Sequence, residues 1–215
     1  MSDMPPSPDI SVALAKLIEE MSAIGQIGLT FGKDRFDLER YRRLRVLASE
    51  MMGLLSAQPP AQILDWLNLD QHYATPKLDV RGVVLRGDSI LLVQERADGR
   101  WAPPGGWSDI NQSAGETVMR EVREESGLIV RAVRLIGLLD KQKHEHPHEA
   151  PHAFKSFFLC EEIGGALAHD PHETLAAAFH PLDDLPPLSL PRITAAQINA
   201  LVKVARNPTL PALFD

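Results

Sequence analysis

The apolar residues change their period near residue 76, and this limits the chain to a helical segment followed by a sheet-based domain. Over residues 9–24 they recur at Ile10, Leu14, Leu17, Ile18, Met21 and Ile24, the spacing of one helical face. A turn region holding Gly25, Gly28, Gly32 and Asp34 follows. Asp37 is then placed to cap a second helix with an apolar stripe of Leu38, Tyr41, Leu44, Leu47, Met51 and Leu55. The opposite side of that helix carries Arg40, Arg42, Arg43 and Arg45 and reads as a solvated face. Two helices of this size cannot bury both stripes against each other alone. Their cover must come from the rest of the chain or from a second copy, so residues 1–70 are expected to form a helical dimerisation module. Residues 56–75 read as a connection in which Pro59-Pro60 breaks the helix before a short apolar segment around Ile63, Leu64, Trp66 and Leu67.

Beyond residue 76 the pattern is that of strands. Residues 78–85 and 89–95 are strand-like runs separated by Gly87-Asp88, which predicts a hairpin. Further strands are expected over 129–139, 153–162 and, more weakly, 175–180. Helices are expected over 113–126 and, after the Pro-rich loop 185–191, over 194–206. Strands interspersed with few helices argue for a mixed α/β or α+β sandwich over residues 71–215, not a regularly alternating doubly wound sheet. A length of 215 residues suits one standard domain plus a small accessory one.

Composition narrows the function. With 44% apolar and 24% charged residues the chain can build an ordinary globular core. No apolar run reaches the ~18–20 residues of a membrane span, and Met1-Ser2-Asp3-Met4-Pro5-Pro6 has neither the basic nor the apolar part of a signal segment, so a cytoplasmic location is expected. The single Cys160, in Phe157-Phe158-Leu159-Cys160, reads as a buried, inert thiol. A formal charge of −7 disfavours general nucleic-acid binding, which needs clustered Lys and Arg. An acidic protein that handles a polyanion instead needs metal ions between the two.

The segment that carries chemistry is Trp101-Ala102-Pro103-Pro104-Gly105-Gly106, followed after thirteen residues by Arg120-Glu121-Val122-Arg123-Glu124-Glu125-Ser126-Gly127-Leu128. On a helix, at about 100° per residue, Glu121, Glu124 and Glu125 fall within an arc of ~100°, beside the apolar stripe of Val118, Met119 and Val122. Such crowding costs ~0.2–0.5 kcal/mol per pair on an exposed helix, and nearly ~3 kcal/mol for charges ~6 Å apart in a partly buried groove. A hard cation such as Mg²⁺ or Mn²⁺ removes that penalty and can bridge to phosphate oxygens. Gly127 is placed to end the helix in a left-handed conformation. An ordinary charged helix with Glu116–Arg120 and Arg120–Glu124 pairs is the plain alternative. The five fixed residues Arg, Glu, Glu, Glu and Gly, however, recur by chance at only about one starting position in a million.

Residues 106–128 resemble the Nudix box, in which Gly, five residues, Glu and seven residues precede Arg-Glu-apolar-x-Glu-Glu-x-Gly-apolar. One position departs: Gln112 stands where the box has its first Glu, and Glu116, one helical turn later, is the candidate to supply the lost interaction. Ala74-Thr75-Pro76-Lys77-Leu78-Asp79-Val80-Arg81, Asp140-Lys141-Gln142-Lys143-His144, His172-Glu173-Thr174 and Leu185-Pro186-Pro187-Leu188-Ser189 extend the likeness. The subgroup they resemble is bacterial and includes CDP-choline pyrophosphatase and ADP-ribose pyrophosphatase-like proteins. The resemblance implies a Nudix-type α/β/α sandwich with a mixed sheet, preceded by a small N-terminal helical module that supports a homodimer. It implies metal-dependent hydrolysis of a nucleoside diphosphate linked to another moiety. Glu121, Glu124 and Glu125 would ligate Mg²⁺ or Mn²⁺, with Arg120 orienting a carboxylate and Gly105 and Gly106 letting the loop approach the diphosphate. Where the subgroup has an acidic residue from a later loop this chain has Ala176, which leaves Glu173 as the nearest catalytic candidate.

His144, His146, His148 and His152 lie within nine residues, without the spacing of a zinc motif. They are expected on a polar loop at the substrate, with Lys141, His144 and Lys155 among its binding residues and Lys143 also available for phosphate. Arg81 and Arg96 are further phosphate candidates. Trp101 and Trp107 could each stack on a base or pack in the core. Two alternatives compete: hydrolysis at RNA ends, which the charge disfavours, and a Nudix-like binding module without catalysis, suggested by Gln112 and Ala176.

Overall fold

The computed structural model describes residues 10–56, 58–68, 72–147 and 151–215. The chain divides into two units, Met1–Thr75 and Pro76–Asp215. In the first, α1 (Ile10–Phe31) and α2 (Arg35–Ser56) form a helical hairpin, and α3 (Pro60–Asn68) follows. Helix α1 runs through Gly25 and Gly28, where a turn is expected from the glycines. The reason is tertiary: the Tyr41 ring lies where a Cβ on Gly28 would stand, so the helices approach through a residue of poor helix propensity. Asp34, not Asp37, caps α2, its carboxylate accepting from the amides of Phe36 at 2.9 Å and Asp37 at 3.1 Å. The segment around Ile63 is helical because Pro60 stands at its first position, where a missing N–H costs nothing.

The expected stripes are only partly covered within one chain. Ile18 is buried, but Ile10, Leu17 and Ile24 are 75%, 56% and 50% exposed. An open groove of about 450 Å³ runs between Ile24, Ile27, Phe31 and Tyr41. Arg45 departs from the solvated face assigned to it: it is buried, and its guanidinium donates to the Leu67 carbonyl.

The second unit is built on a mixed, seven-stranded sheet. Its strands are β1 (Lys77–Arg86), β2 (Ser89–Glu95), β3 (Trp101–Ala102), β4 (Leu128–Asp140), β5 (Ala153–Gly165), β6 (Thr174–Pro181) and β7 (Leu213–Phe214). The order is β3-β2-β1-β5-β4-β7, with β6 also on β2. β1 and β5 run parallel, from Lys77 opposite Ala153 to Val84 opposite Cys160. The predicted hairpin joins β1 to β2 through Gly87-Asp88, with Arg86 opposite Ser89.

Alternation along the strands feeds two cores. Val80, Val84, Leu91, Val130 and the buried thiol of Cys160 pack with Val118 and Val122 of α4 (Ala114–Ser126). Val83, Leu92, Ile136 and Phe157 pack with Ile198 and Leu201 of α5 (Ala195–Arg206). Helix, sheet and helix form the expected α/β/α sandwich. Burial pushes the Cys160 thiol up to about 12, which leaves it protonated and inert at neutral pH.

Candidate active site

Helix α4 is fixed at both ends. Ser113 accepts from the Glu116 amide at 3.2 Å while the Glu116 carboxylate accepts from the Ser113 amide at 2.8 Å, a reciprocal cap. At the other end Gly127 adopts φ 72° and donates to Arg123 O. Val118 and Val122 press on β1 at Gly82, where a Cβ would lie 2.6 Å from the Val122 side chain. This contact sets the helix rotation, with Glu125 buried at 8% exposure and the Glu121 and Glu124 side chains at 13% and 34%.

A loop is laid along the free edge of β1 opposite these carboxylates. Val80 N donates to Gly106 O at 2.8 Å, Gly82 N to Pro104 O at 2.8 Å and Ser108 N to Leu78 O at 2.9 Å. Gly105 has φ 147°, and a Cβ there would collide with the Val80 carbonyl, so only glycine fits. Its amide donates to the Glu125 carboxylate at 2.8 Å. A Cβ on Gly106 would stand 3.1 Å from the Glu121 carboxylate. The Glu121 and Glu125 carboxylates thus meet two glycines that the sequence separates from them by more than a dozen residues.

The charges are uneasy there. Burial pushes the Glu125 carboxyl up to about 8, although Arg81 and the Gly105 amide act against it. Burial also raises Glu121, again against an arginine, Arg120. Arg120 gathers the acids, with Glu124 at 2.7 Å and Glu121 and Asp109 each at 2.9 Å. Its Nε donates to the Gln112 side-chain oxygen at 3.2 Å. Among the described residues no three His, Cys, Asp or Glu side chains already converge as a metal cage. The arrangement offers hard oxygen donors beside backbone amides, held apart by Arg120 and Gly105.

At the departure in the box, Gln112 and Asp109 both meet Arg120. Glu116 does not reach toward Arg120 as expected; its carboxylate is taken by the Ser113 amide and hydroxyl, the latter at 2.7 Å. The side-chain oxygen of Gln112 accepts from Arg120, and the Asp109 carboxylate pairs with the same guanidinium. Asp109 stands three residues upstream of Gln112, and only the fold of the loop brings it to Arg120.

Arg81 and Lys155, expected at the phosphates, are 5% and 2% exposed and belong to a buried ion network. Asp79 binds Arg81 Nε at 2.8 Å and Lys155 Nζ at 2.6 Å. Glu95 lies 3.6 Å from Arg81 and 2.6 Å from Arg192. Arg81 also donates to Pro103 O at 3.1 Å, fixing the start of the glycine loop. Despite burial, Arg81 and Lys155 hold the Asp79 carboxyl below its ordinary range. Two residues apart on β1, Asp79 and Arg81 share a face, and that alternation was the available clue.

The remaining sequence candidates are spread along loops. Arg96 is exposed and donates to the Pro171 carbonyl. Glu173 is exposed, while its neighbour Thr174 is buried with its hydroxyl 3.4 Å from Glu125 O. Lys141 lies on a 3-10 turn over Lys141–Lys143. His144 is 3.0 Å from Asp215, His146 is 2.6 Å from Leu190 O and His152 is 3.0 Å from Asp140. His148 lies outside the described residues. The three described histidines of this loop are each tied to a different acceptor. Trp101 packs in the core with its ring 4.4 Å from that of His180, whereas Trp107 is 52% exposed.

Comparison with known proteins agrees with this geometry. Residues 13–67 match a family described as the UDP-X-like, N-terminal oligomerisation domain, and residues 75–201 match the NUDIX domain. A Bacillus subtilis (strain 168) protein provisionally named ADP-ribose pyrophosphatase YjhB is 42% identical over 92% of this chain and 94% of its own length. A crystal structure of an ADP-ribose pyrophosphatase from Streptococcus suis 89-1591 is 44% identical, covers 66% of this chain and 100% of that one, and superposes with a TM-score of 0.59. A UDP-X diphosphatase structure is 32% identical, covers 95% of this chain and 99% of that one, and gives a TM-score of 0.62. With the box residues assembled on the sandwich and relatives matched along nearly its whole length, the chain belongs to the Nudix family and is a Nudix pyrophosphohydrolase.

Proposed function

We propose that the protein hydrolyses the pyrophosphate bond of a nucleoside diphosphate linked to another moiety, such as ADP-ribose or CDP-choline, with Mg²⁺ or Mn²⁺ as cofactor. The products are a nucleoside monophosphate and a phosphorylated second moiety. The observation that carries this reading is the meeting of Glu121 and Glu125 with the Gly105-Gly106 backbone, with Glu124 tied to Glu121 through Arg120. The names of the relatives at 42% and 44% identity favour ADP-ribose as the first substrate to try.

The donor set fits a hard divalent cation. Its oxygens are carboxylates, and a Glu125 carboxyl pushed up to about 8 marks a buried position where negative charge lacks compensation. Glu121, Glu124 and Glu125 would hold the ion, which when bound polarises phosphoryl oxygens and makes water a better nucleophile. Arg120 orients Glu121 and Glu124, and Gly105 and Gly106 admit the diphosphate close to the backbone. Water then attacks one phosphorus in line while the other phosphate departs. Glu173 is the candidate base, because Thr174 anchors its backbone beside Glu125. Arg96, which is exposed, and the half-buried Lys141 and His144 are the candidates for the substrate's outer part. Arg81 supports the glycine loop at the Pro103 carbonyl, and Lys155 shares Asp79 with it.

The experiment is a panel of nucleoside diphosphate derivatives and a labelled oligonucleotide, each with Mg²⁺ or Mn²⁺, with products identified by mass. Metal-dependent release of a nucleoside monophosphate is expected. No turnover, or turnover confined to the RNA end, would overturn the reading.

We further propose that residues 1–70 make the homodimer, which would cover Ile10, Leu17 and Ile24. Light scattering at micromolar concentration should give a dimer, and removal of residues 1–70 a monomer. A monomeric parent would refute this. Among the described residues no helix is long and apolar enough to cross a membrane. The lone buried Cys160 accords with the cytoplasm.

A further inference from the structure

Two tryptophans flank the glycine loop, and the structure separates them. Trp101 is fixed in the core: its amide donates to Pro187 O at 2.9 Å and its carbonyl accepts from Ser189 N at 2.8 Å. Trp107 has an equally fixed backbone but a free ring. Its neighbours Gly106 and Ser108 are both bonded to β1, its own position forms a bridge with Asp79, and yet its side chain leaves the residue 52% exposed. An indole held by rigid backbone and left open is a pre-organised aromatic surface, with little ordering cost on binding.

Its place relative to the carboxylates gives that surface a purpose. Gly106 has its α-carbon against the Glu121 carboxylate, and Trp107 is the next residue, ~3.8 Å further along the chain. Extended backbone sends successive side chains to opposite faces, so Trp107 takes the Asp79 side of the loop while Gly106 faces Glu121. Asp79 shares that face with Arg81, whose charge acts on both Glu121 and Glu125, so a nucleotide along this edge of the loop sets its diphosphate at the acidic helix and its base on the indole. Every nucleobase has a π-face, so this platform grips the nucleoside without choosing among bases.

We propose that Trp107 is a substrate-binding residue that stacks on the nucleobase. The inference rests on the reading that the substrate is a nucleoside diphosphate derivative.

The test uses the full-length protein and two variants, Trp107→Phe and Trp107→Ala. AMP and UMP serve as probes, read by intrinsic fluorescence and by calorimetry, alongside steady-state kinetics on whichever derivative the parent hydrolyses. Nucleotide should quench the parent's emission and leave Trp107→Phe, which keeps Trp66 and Trp101, nearly unchanged. Trp107→Ala should bind nucleotide about tenfold to a hundredfold more weakly and raise KM to match, with kcat within about threefold, while Trp107→Phe binds within a few-fold of the parent. Parent-like KM and nucleotide affinity in Trp107→Ala would overturn the inference while leaving the hydrolase reading intact. A change of oligomeric state in that variant would overturn it too, by showing that the ring belongs to a subunit interface. If the parent cleaves no nucleoside diphosphate derivative, the reading beneath it fails first.

Discussion

Glu124→Gln and Glu125→Gln each lower turnover by at least about a thousandfold at saturating Mg²⁺ while circular dichroism and solubility stay those of the parent, the scale expected when transition-state charge stabilisation is lost. Glutamine keeps the shape and the acceptor oxygen that Gly105 needs, so the fold has no reason to fail. For Glu125 the exchange should even stabilise the metal-free protein. Its folded-state carboxyl titrates at about 8, above the ordinary value of 4.5. A carboxyl raised in this way weakens folding as pH climbs from the unfolded value through the folded one, because only the unfolded state ionises freely. Removing the titration should therefore stabilise the fold at pH 7 to 8, by on the order of a few kcal/mol, and raise the melting temperature. Mg²⁺ should raise the melting temperature of the parent and have little effect on Glu125→Gln. Turnover within tenfold of the parent in both variants would count against the role given to α4.

Arg81→Met should be the most damaging single change to stability, about 3–5 kcal/mol by urea denaturation. The guanidinium serves Asp79, Glu95 and the Pro103 carbonyl together, and all are buried or nearly so. Lys155 would still reach Asp79, and Arg192 would still reach Glu95, but each acid would lose its second cation in a place that water cannot enter. The glycine loop would also lose its tie at Pro103. A variant that unfolds with the parent's midpoint yet turns over poorly would instead return Arg81 to the role of a phosphate contact.

The sheet and the helix that bears the acids could be read from the chain because both depend on local pattern. Alternation at 78–85 and 89–95, the Gly87-Asp88 turn and the helical stop at Gly127 are decided within a few residues, and each stands where the pattern puts it. The short β3 and β7 are two residues long, too short to have a period, and exist only because β2 and β4 offer an edge. The Gly25 and Gly28 positions misled because propensity points to a turn, whereas packing on Tyr41 favours a helix without a side chain there.

In the site the same division holds. The carboxylate patch follows from spacing on one helix, but partners that are distant in sequence do not. Arg81 and Lys155 read as phosphate contacts, and Arg45 as a surface cation, until Asp79, Glu95 and the Leu67 carbonyl are brought to them. Asp109 and Gln112 both meet Arg120 because a loop folds them onto it, while the nearer Glu116 is held by its own cap.

The central claim is that α4 collects divalent cations for pyrophosphate hydrolysis, and manganese is its most direct probe. A crystal grown with Mn²⁺ and a slowly cleaved nucleoside diphosphate analogue, measured at the manganese absorption edge, should show anomalous density ligated by Glu121, Glu124 and Glu125, with the diphosphate on the same ion. Carboxylates still turned to Arg120 and the Gly105 amide, with no manganese among them at full analogue occupancy, would contradict the account.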